Sequence, residues 1–387
     1  MRDFSYFCAM AGLYIHIPFC KSKCGYCGFY SLPSTKLKDK FLEALKEEIR
    51  QRKDYLHDEL VSTIYFGGGT PSLLSADEIG SLLHLINKHY PIAPKPEITL
   101  EANPDTLSFE YLQAIRSLGI NRLSIGIQSF FDNDLQYLGR KHNSEHARNC
   151  LVWAKQAGFD NLSLDLIYGL PTSNAAQWKR NLDLFFETGI PHLSAYALTL
   201  EPNSILTKQI EQGKAITISE DDALRDYETL CQRAEKEGFL HYEISNFCKS
   251  GMHSKHNTSY WFGTPYAGFG PSAHSFDGIS RQWNVSSVEE YCTRILESVE
   301  KSVYETEHLS PEQRYDEYVM LRLRTHWGID LKWMKREMGE RFSTYCEQQA
   351  QPLISERKLT QTREFLYLND RQMLFADGVA EHLFWEE

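Results

Sequence analysis

The sequence predicts an α/β fold, in which a partial TIM-like (β/α)6 barrel precedes a small C-terminal α+β domain of winged-helix-like shape. Apolar strand-like runs alternate with helical patterns six times over about 200 residues, which is typical of βα units that build a parallel sheet. Six units fall short of the eight that close a TIM barrel. From about residue 310 the pattern changes to short helices and two strand-like runs.

The six strand-like runs are apolar, as expected for strands buried on both faces. They cover residues 13–17, 63–67, 97–102, 122–128, 161–169 and 192–200. Helical patterns over 38–52, 75–89, 108–119 and 144–158 connect the first five. A further helix is predicted over 219–238 and a further strand over 241–247.

Local signals define the ends of these helices. Ser75 is followed three residues later by Glu78, which is the pattern of a capping box at a helix N-terminus. Gly119 and Gly158 follow the next two helical patterns, where a left-handed residue ends a helix. These signals support helical connections between the strands.

The chain is divided by these patterns into an extension, a barrel and two smaller parts. The predicted boundaries give an N-terminal extension over 1–12, the barrel over 13–215, a barrel extension over 216–300 and the C-terminal domain over 301–387. No further internal repeat is present in the sequence.

Charge and cysteine content limit the class of protein. A net charge of −11 over 387 residues argues against a general nucleic-acid binder, which would carry a basic surface. Nine cysteines form an odd number without a regular framework, which favours a reducing, cytoplasmic environment. No apolar run reaches the roughly 18 residues that span a bilayer, so any membrane contact is expected to be peripheral.

Three cysteines follow the first predicted strand with the spacing C-x3-C-x2-C. Cys20, Cys24 and Cys27 are one thiolate short of a closed zinc site. An iron–sulfur cubane held by three thiolates leaves one iron open for a small chelating molecule, such as the amino and carboxylate groups of S-adenosylmethionine. A structural metal site, or three unrelated reduced thiols, are the alternatives.

Other polar residues cluster where the predicted strands end, at the edge that carries function in such folds. Gly67–Thr70 follow the second strand and can expose backbone groups to a ligand. Glu101 and Asp165 are candidates to accept ribose hydroxyls or an ammonium, and Arg140 is a candidate partner for a ligand carboxylate. The alternatives are an ordinary turn and solvated or helix-capping side chains.

Seven motifs in order resemble a known family. They are YIHIPFCKSKCGYCGFYS, YFGGGTPSLL, EANPDTL, RLSIGIQSF, LGRKH, DLIYGLP and YEISNF, over about residues 13 to 275. Together they are similar to the radical-SAM proteins related to oxygen-independent coproporphyrinogen III oxidase, and the tail is similar to the C-terminal domain of that family. The resemblance implies a radical-SAM barrel.

Three features favour one branch of this family. The oxidase branch, HemN, has a fourth cysteine two residues after the third and a long N-terminal extension, whereas this chain has Phe29 at that position and nineteen residues before Cys20. The HemW branch of haem chaperones has the signature HNxxYW. This sequence carries the signature as His256, Asn257, Tyr260 and Trp261.

The resemblance implies the cofactors and their residues. Cys20, Cys24 and Cys27 would bind a [4Fe–4S] cluster. The implied S-adenosylmethionine site comprises Tyr14, Tyr26, Gly68, Gly69, Thr70, Glu101, Gln128, Arg140, Asp165 and Ala197. The motif histidine, His256, is the predicted haem contact, with His274 as the second choice, and no residue is assigned a catalytic role.

Three functions remain open at this point. The preferred one is a haem chaperone that delivers haem to apo respiratory haem proteins at the membrane, in the form of a homodimer. The alternative is coproporphyrinogen III oxidation, an oxidative decarboxylation that uses a 5′-deoxyadenosyl radical. The third is radical chemistry on another substrate. Phe29 and the short N-terminus favour the chaperone over the oxidase.

Overall fold

The computed structural model describes residues 10–28, 30–202, 204–217, 219–297 and 302–386. Phe29, Cys8 and most of the predicted N-terminal extension lie outside these ranges. The strands of the large sheet are β1 Ala11–Ile17, β2 Val61–Gly68, β3 Ile92–Ala102, β4 Arg122–Gln128, β5 Asn161–Tyr168, β6 His192–Ala197, β7 Leu240–Glu243, β8 Asn246–Cys248, β9 Tyr266–Phe269, β10 His274–Phe276, β11 Ser280–Asn284 and β12 Tyr304–His308.

The six predicted strands form the parallel centre of this sheet. The strand order is β12-β11-β10-β9-β1-β2-β3-β4-β5-β6-β8-β7, so β1 to β6 are neighbours in chain order. β9 adds a further parallel strand beside β1, while β10 to β12 and β7 to β8 extend the two sides with antiparallel pairs. This arrangement confirms the predicted α/β partial barrel.

Helices alternate with the strands of this sheet along the chain. They are α1 Lys38–Gln51, α2 Ala76–His89, α3 Phe109–Ser117, α4 Asp132–Tyr137, α5 Ser144–Gln156, α6 Ala175–Glu187, α7 Ile205–Glu211, α8 Glu220–Lys236, α9 Lys255–Trp261 and α10 Val288–Leu296. The capping box of Ser75 and Glu78 is present, and Gly119 and Gly158 adopt φ of 102° and 86° after α3 and α5. The predicted helix ends are therefore confirmed.

The parallel strands alternate between two environments. In β1, Leu13, Ile15 and Ile17 are fully buried in the main apolar core. Tyr14 and His16, between them, contact each other and the polar interior of the barrel, where the Tyr14 ring stacks on Tyr65. The alternation places apolar side chains against the helices and polar side chains inside the barrel.

Two predicted strands differ from the observed ones. β3 begins at Ile92 instead of residue 97. Its first part, residues 93–96, is irregular because Pro94 and Pro96 cannot donate backbone hydrogen bonds, and the regular pairing with β2 resumes at Glu97. The single strand predicted over 241–247 is wrong. A turn at residues 244–245 divides it into β7 and β8, which pair with each other.

A buried ion pair ties α1 to the β9–β11 side of the sheet. Glu48 is fully buried and accepts hydrogen bonds from Asn284 Nδ2 at 2.7 Å, Tyr291 Oη at 2.7 Å and the Gly270 N–H at 2.8 Å. Arg52, one helical turn later, donates to Glu48 Oε1 at 3.2 Å. This network satisfies a carboxylate in a place that water does not reach.

The C-terminal region has its own apolar core and a small antiparallel sheet. Its elements are α11 Pro311–Leu323, β13 Ile329–Asp330, α12 Leu331–Glu337, α13 Glu340–Ser355, β14 Thr360–Gln361, β15 Phe365–Tyr367 and α14 Ala376–Glu381. The three strands pair in the order β13-β15-β14. This is the predicted combination of short helices and a hairpin, but the hairpin turns at residues 362–364, before Asn369 and Asp370. The predicted domain boundaries remain predictions.

The remaining cysteines and the helices bear on two further expectations. Five cysteines outside the C-x3-C-x2-C cluster are buried free thiols, as predicted for small apolar residues. They are Cys150, Cys231, Cys248, Cys292 and Cys346. Among the helices of the described residues, none has the length and apolar character that a membrane crossing requires.

Candidate functional site

A cavity of about 440 Å³ lies at the carboxyl ends of the parallel strands. The lining comes from the loop after β1 and from the ends of β2 to β6, so residues far apart in sequence meet here. Ten residues predicted for the cluster and S-adenosylmethionine line it. They are Tyr26, Cys27, Gly68, Gly69, Thr70, Glu101, Gln128, Arg140, Asp165 and Ala197.

Backbone hydrogen bonds hold the cysteine loop at the mouth of this cavity. At its start, the Cys20 N–H donates to Leu32 O at 3.0 Å, and the Leu32 N–H donates to Pro18 O at 2.7 Å. In its middle, the Gly25 N–H donates to Leu138 O at 3.1 Å. The first two bonds close the loop on itself, and the third fixes its middle to the segment after α4. The three thiols are partly exposed and form no disulfide.

Two polar side chains of the cavity contact the thiols directly. Thr70, at the end of β2, donates its hydroxyl to Cys20 Sγ at 3.4 Å. Arg140 Nη1 lies 3.5 Å from Cys24 Sγ. The thiols of Cys20 and Cys24 thus touch a hydroxyl and a guanidinium that also line the cavity.

Among the described residues, no group of three His, Cys, Asp or Glu side chains is placed to hold a single metal ion. That finding concerns mononuclear sites. A four-iron cluster distributes its thiolate ligands over different iron atoms. The donor set offered here is three thiols without a fourth.

Glycines leave room where the loops approach each other closely. Gly68 adopts φ of 109°, a region that L side chains rarely occupy. A Cβ at Gly69 would lie 2.7 Å from the Phe19 carbonyl oxygen, in the backbone just before the cysteine loop. A Cβ at Gly126 would lie 3.2 Å from Arg140 Nη2. Larger residues at these positions would displace groups that line the cavity.

Glu101 is the acidic group best held in the cavity. Its Oε1 accepts from Tyr65 Oη at 2.7 Å and its Oε2 accepts from the Gly68 N–H at 3.1 Å. Burial raises the pKa of Glu101, the two hydrogen bonds lower it and the nearby Asp165 raises it, to a net value of about 7. Burial also raises the pKa of Asp165, which accepts from Ser124 Oγ at 3.2 Å. A cationic ligand group beside these two carboxyl groups would stabilise their ionised forms.

Arg140 provides the opposite charge in the same cavity. Its Nη2 donates to Asn103 Oδ1 at 2.6 Å and to the Gly126 carbonyl at 2.8 Å, which fixes the guanidinium at the ends of β3 and β4. Asn103 in turn donates to Thr70 Oγ1 at 3.0 Å. Carboxylates together with a fixed guanidinium can bind a zwitterion, such as the amino acid end of a ligand.

The backbone of β4 is irregular beside the cavity. Gln128 has φ of 67°, and the register between β4 and β5 shifts between Gly126 and Gln128. Positive φ in a residue other than glycine is costly and is concentrated at functional sites. The irregularity places the predicted ligand residue Gln128 at the cavity wall.

Two predicted site residues lie elsewhere in the barrel interior. Tyr14 does not line the cavity; it is one layer below and stacks on Tyr65. His256 is buried, with Nδ1 2.8 Å from Thr63 Oγ1 and Nε2 2.8 Å from Tyr260 Oη. Burial lowers the pKa of His256 to about 3, so the imidazole is neutral. Iron ligation by His256 stays a prediction, and it would require the ring to give up one of these hydrogen bonds.

The second choice, His274, is an exposed residue of β10. Its ring lies 6.4 Å from the Trp283 ring on the neighbouring strand. It does not line the cavity at the strand ends. A haem contact at His274 likewise stays a prediction.

The residues that orient the charged side chains of the cavity were not among the predicted site residues. Tyr65 orients Glu101, Asn103 and Gly126 fix Arg140, and Ser124 bonds Asp165. One signal for Ser124 and Gly126 exists in β4, where polar or small residues alternate with apolar ones. No comparable signal exists for Tyr65, because its role depends on a carboxylate of the neighbouring strand.

A parallel partial barrel with three cysteines after its first strand defines the class of protein to which this chain belongs, the radical-SAM proteins. A family model described as Radical SAM superfamily matches residues 14–185, and one described as HemN C-terminal domain matches residues 309–375. The solved structure of coproporphyrinogen III oxidase (HemN) from Escherichia coli aligns with a TM-score of 0.85 over 97% of this chain and 90% of that chain. At 22% identity, this similarity shows the fold.

Sequence relatives define the family more closely. The heme chaperone HemW of Mycobacterium tuberculosis is 34% identical over 376 residues, which cover 96% of this chain and 94% of the relative. HemW of Bacillus subtilis is 32% identical, with 96% and 98% covered, and HemW of Haemophilus influenzae is 39% identical, with 68% and 69% covered. The chain belongs to the HemW family.

Proposed function

We propose that this chain is a haem chaperone that binds a [4Fe–4S] cluster through Cys20, Cys24 and Cys27 and binds S-adenosylmethionine in the adjoining cavity. The observation that supports the cofactor part is the cavity at the strand ends: Cys27 and nine other predicted residues line it, and two of these, Thr70 and Arg140, contact the thiols of Cys20 and Cys24. The names of relatives that align over nearly the whole chain support the haem part.

The residues of the cavity fit the cluster and its ligand. Three thiols without a fourth donor leave one iron open, as a chelating ligand requires. The volume of about 440 Å³ lies in the usual range for a small-molecule site. Within it, Glu101 and Asp165 suit an ammonium or ribose hydroxyls, and Arg140 suits a carboxylate.

Each group of residues has a role in this proposal. The thiols hold the cluster, which together with S-adenosylmethionine supplies one-electron chemistry when it is bound. Gly68, Gly69 and Thr70 provide close backbone and hydroxyl contacts to the methionine end, and Tyr26 covers the ligand beside the third thiol. Gln128 and Ala197 complete the wall, while Tyr14 acts from the layer below by packing on Tyr65.

The further parts of the proposal concern cargo and recipients. Haem is the cargo, apo respiratory haem proteins at the membrane are the recipients, and the chaperone acts in the cytoplasm as a homodimer in peripheral contact with the bilayer. The relatives' name supports haem as the cargo. His256 is retained as the predicted haem contact of the HNxxYW signature.

Anaerobic reconstitution tests the cofactor part. The purified chain is incubated with iron and sulfide and reduced, and its EPR spectrum is recorded with and without S-adenosylmethionine. We expect a cluster signal that changes with the ligand and that is lost in Cys20→Ser, Cys24→Ser and Cys27→Ser. The matched control is Cys150→Ala, a buried thiol outside the loop, which should retain the signal. A signal that survives all three loop substitutions would contradict the proposal.

A second assay separates the chaperone from the oxidase. The reconstituted protein is given coproporphyrinogen III under reducing conditions, and in parallel it is titrated with haemin. We expect haemin binding and no decarboxylation. Conversion to protoporphyrinogen would show that the alternative, coproporphyrinogen oxidation, is the function.

A further inference from the structure

A network of hydrogen bonds runs through the barrel interior from Asp165, in the cavity at the strand ends, to Tyr242 on β7. Its intermediate members are Ser194 and His192 on β6 and Ser163 on β5. Ser163, His192 and Tyr242 are completely shielded from solvent, and Ser194 is 4% exposed. Of these five residues, Asp165 alone lines the cavity. The other four therefore belong to the interior behind its wall.

The contacts within this network are short enough for direct hydrogen bonds. Ser194 lies beside Asp165 in the register of β5 and β6; burial raises the pKa of Asp165, and a hydrogen bond from the Ser194 side chain lowers it. Ser163 Oγ lies 3.3 Å from Ser194 Oγ and 2.6 Å from His192 Nδ1. His192 Nε2 lies 2.8 Å from Tyr242 Oη. The network is thus continuous from the cavity to β7.

The positions of the protons follow from the far end of the network. The Ser254 N–H donates to Tyr242 Oη at 3.3 Å, so among the described residues the acceptor left for the tyrosine proton is His192. Burial, together with Arg122 and His253, lowers the pKa of His192 well below 6.5, so the imidazole is neutral and carries one proton. Because Nε2 accepts from Tyr242, that proton is on Nδ1.

The same direction continues to the cavity. The Nδ1–H of His192 donates to Ser163 Oγ, which leaves the Ser163 hydroxyl proton for Ser194 Oγ. The Ser194 hydroxyl then donates to the Asp165 carboxylate. Every donor of the network therefore points toward Asp165. Hydrogen bonds that are aligned in this way polarise one another, most of all in an interior that water does not screen.

We propose that Tyr242 and His192 are positioning residues for ligand binding, which act on Asp165 through the two serines between them. The inference rests on the proposed binding of S-adenosylmethionine and adds residues that lie outside its cavity. Ser194 on β6 and Ser124 on β4, with Oγ 3.2 Å from Asp165 Oδ1, hold the carboxylate from both neighbouring strands. Its remaining lone pairs are left for a hydroxyl or ammonium group of the ligand.

The C-terminal region fixes the far end of the network. The His326 N–H donates to the Tyr242 carbonyl at 3.0 Å, and the Trp327 ring meets the Tyr242 ring edge-on with centroids 6.1 Å apart. The Ile244 N–H donates to the Arg324 carbonyl at 2.9 Å. The Tyr242 hydroxyl therefore has a fixed position from which it sets the direction of the bonds.

Binding of S-adenosylmethionine to the anaerobically reconstituted full-length protein, measured by equilibrium dialysis, tests the inference. Ser194→Ala removes a hydrogen bond to a charged group, and we expect about tenfold weaker binding. Tyr242→Phe removes a distant hydroxyl, and we expect about threefold weaker binding because the network loses its direction. The matched control is Tyr315→Phe, which removes an equally buried hydroxyl that donates to the Leu383 carbonyl at 2.8 Å and should bind like the wild type.

A double variant separates this role from a general loss of packing. If Tyr242 acts through the network, Ser194→Ala already interrupts its effect. Adding Tyr242→Phe to Ser194→Ala should then leave the binding about tenfold weaker than in the wild type, with no further loss. Independent effects would multiply to about thirtyfold, and that result would overturn the inference.

The protonated nitrogen of His192 provides a second readout that does not involve the ligand. In the cluster-free full-length protein labelled with 15N-histidine, we expect NMR chemical shifts of a neutral ring with its proton on Nδ1, assigned by their loss in His192→Gln. Tyr242→Phe should lose this preference, whereas Tyr315→Phe should keep it. A proton on Nε2 in the wild type would overturn the inference.

The binding results also separate this inference from the proposed function. If the wild type binds S-adenosylmethionine and both single variants bind it as tightly, the network is structural only, while the cofactor site stands. If the wild type forms the cluster and does not bind the ligand, the cofactor part of the proposed function fails, and the inference fails with it.

Discussion

The pKa of Glu101 leads to a quantitative prediction for ligand binding in the cavity at the strand ends. Removal of the carboxyl from water and the nearby Asp165 raise the pKa of Glu101 to about 7, against the hydrogen bonds from Tyr65 and Gly68 that lower it. A cationic ligand group binds the carboxylate and not the carboxylic acid. Binding of such a group therefore weakens as the pH falls through this value.

The size of the effect follows from the ionised fraction. With a pKa of about 7, roughly half of Glu101 is ionised at pH 7 and about 3% at pH 5.5, so the dissociation constant rises about 15-fold over this range. An amino group, with a pKa near 7.8, stays mostly protonated throughout the same range. The ligand's own charge thus changes little.

Equilibrium dialysis of S-adenosylmethionine against the anaerobically reconstituted protein measures this dependence. We expect the wild type to show the 15-fold change and Glu101→Gln to bind weakly at both pH values, with little change between them. Asp165→Asn separates the contribution of the neighbouring acid, whose pKa is also raised by burial. If Glu101→Gln retains the full pH dependence, another group controls binding and the role assigned to Glu101 is wrong.

Two other substitutions test the packing and the cavity. Arg52→Leu leaves the fully buried Glu48 without its cationic partner and should lower the free energy of unfolding by about 3–5 kcal/mol. The control Arg50→Leu, on the exposed face of α1, should lower it by less than about 1 kcal/mol. Equal losses for the two variants in chemical denaturation would contradict this account. Gly126→Ala places a Cβ 3.2 Å from Arg140 Nη2 and should weaken S-adenosylmethionine binding roughly tenfold while the unfolding temperature changes little, which calorimetry can check.

The fold and most of the first cavity could be predicted because their signals are local. Each parallel strand is a short apolar run, and several helices carry a capping residue in their own sequence, as Ser75 with Glu78 shows. The cavity follows from topology, since carboxyl ends of parallel strands meet at one edge. Glu101 and Asp165 could therefore be predicted as site residues once they were assigned to the ends of strands.

Other features could not be predicted because they depend on contacts between distant segments. The role of Tyr65 exists only because Glu101 lies beside it on the neighbouring strand. The division of residues 241–247 into two strands depends on pairing of β8 with β6, which no local pattern encodes. The cavity of about 300 Å³ between α9, α11 and α12 likewise depends on a contact between distant segments.

The HNxxYW signature is best explained by its position between the cavity at the strand ends and a second cavity, of about 300 Å³, that α9, α11 and α12 line. His256 and Tyr260 are four residues apart on α9 and so lie on one face of the helix. The backbone N–H of His256 donates to the buried Glu97 at 3.0 Å, and its ring stacks on Tyr65 at 4.9 Å. Tyr65 holds Glu101 of the first cavity, while Tyr260 lines the second. A histidine at this place aligns both walls at once, which a purely apolar residue could not do because Thr63 and Tyr260 would lose their hydrogen-bond partner.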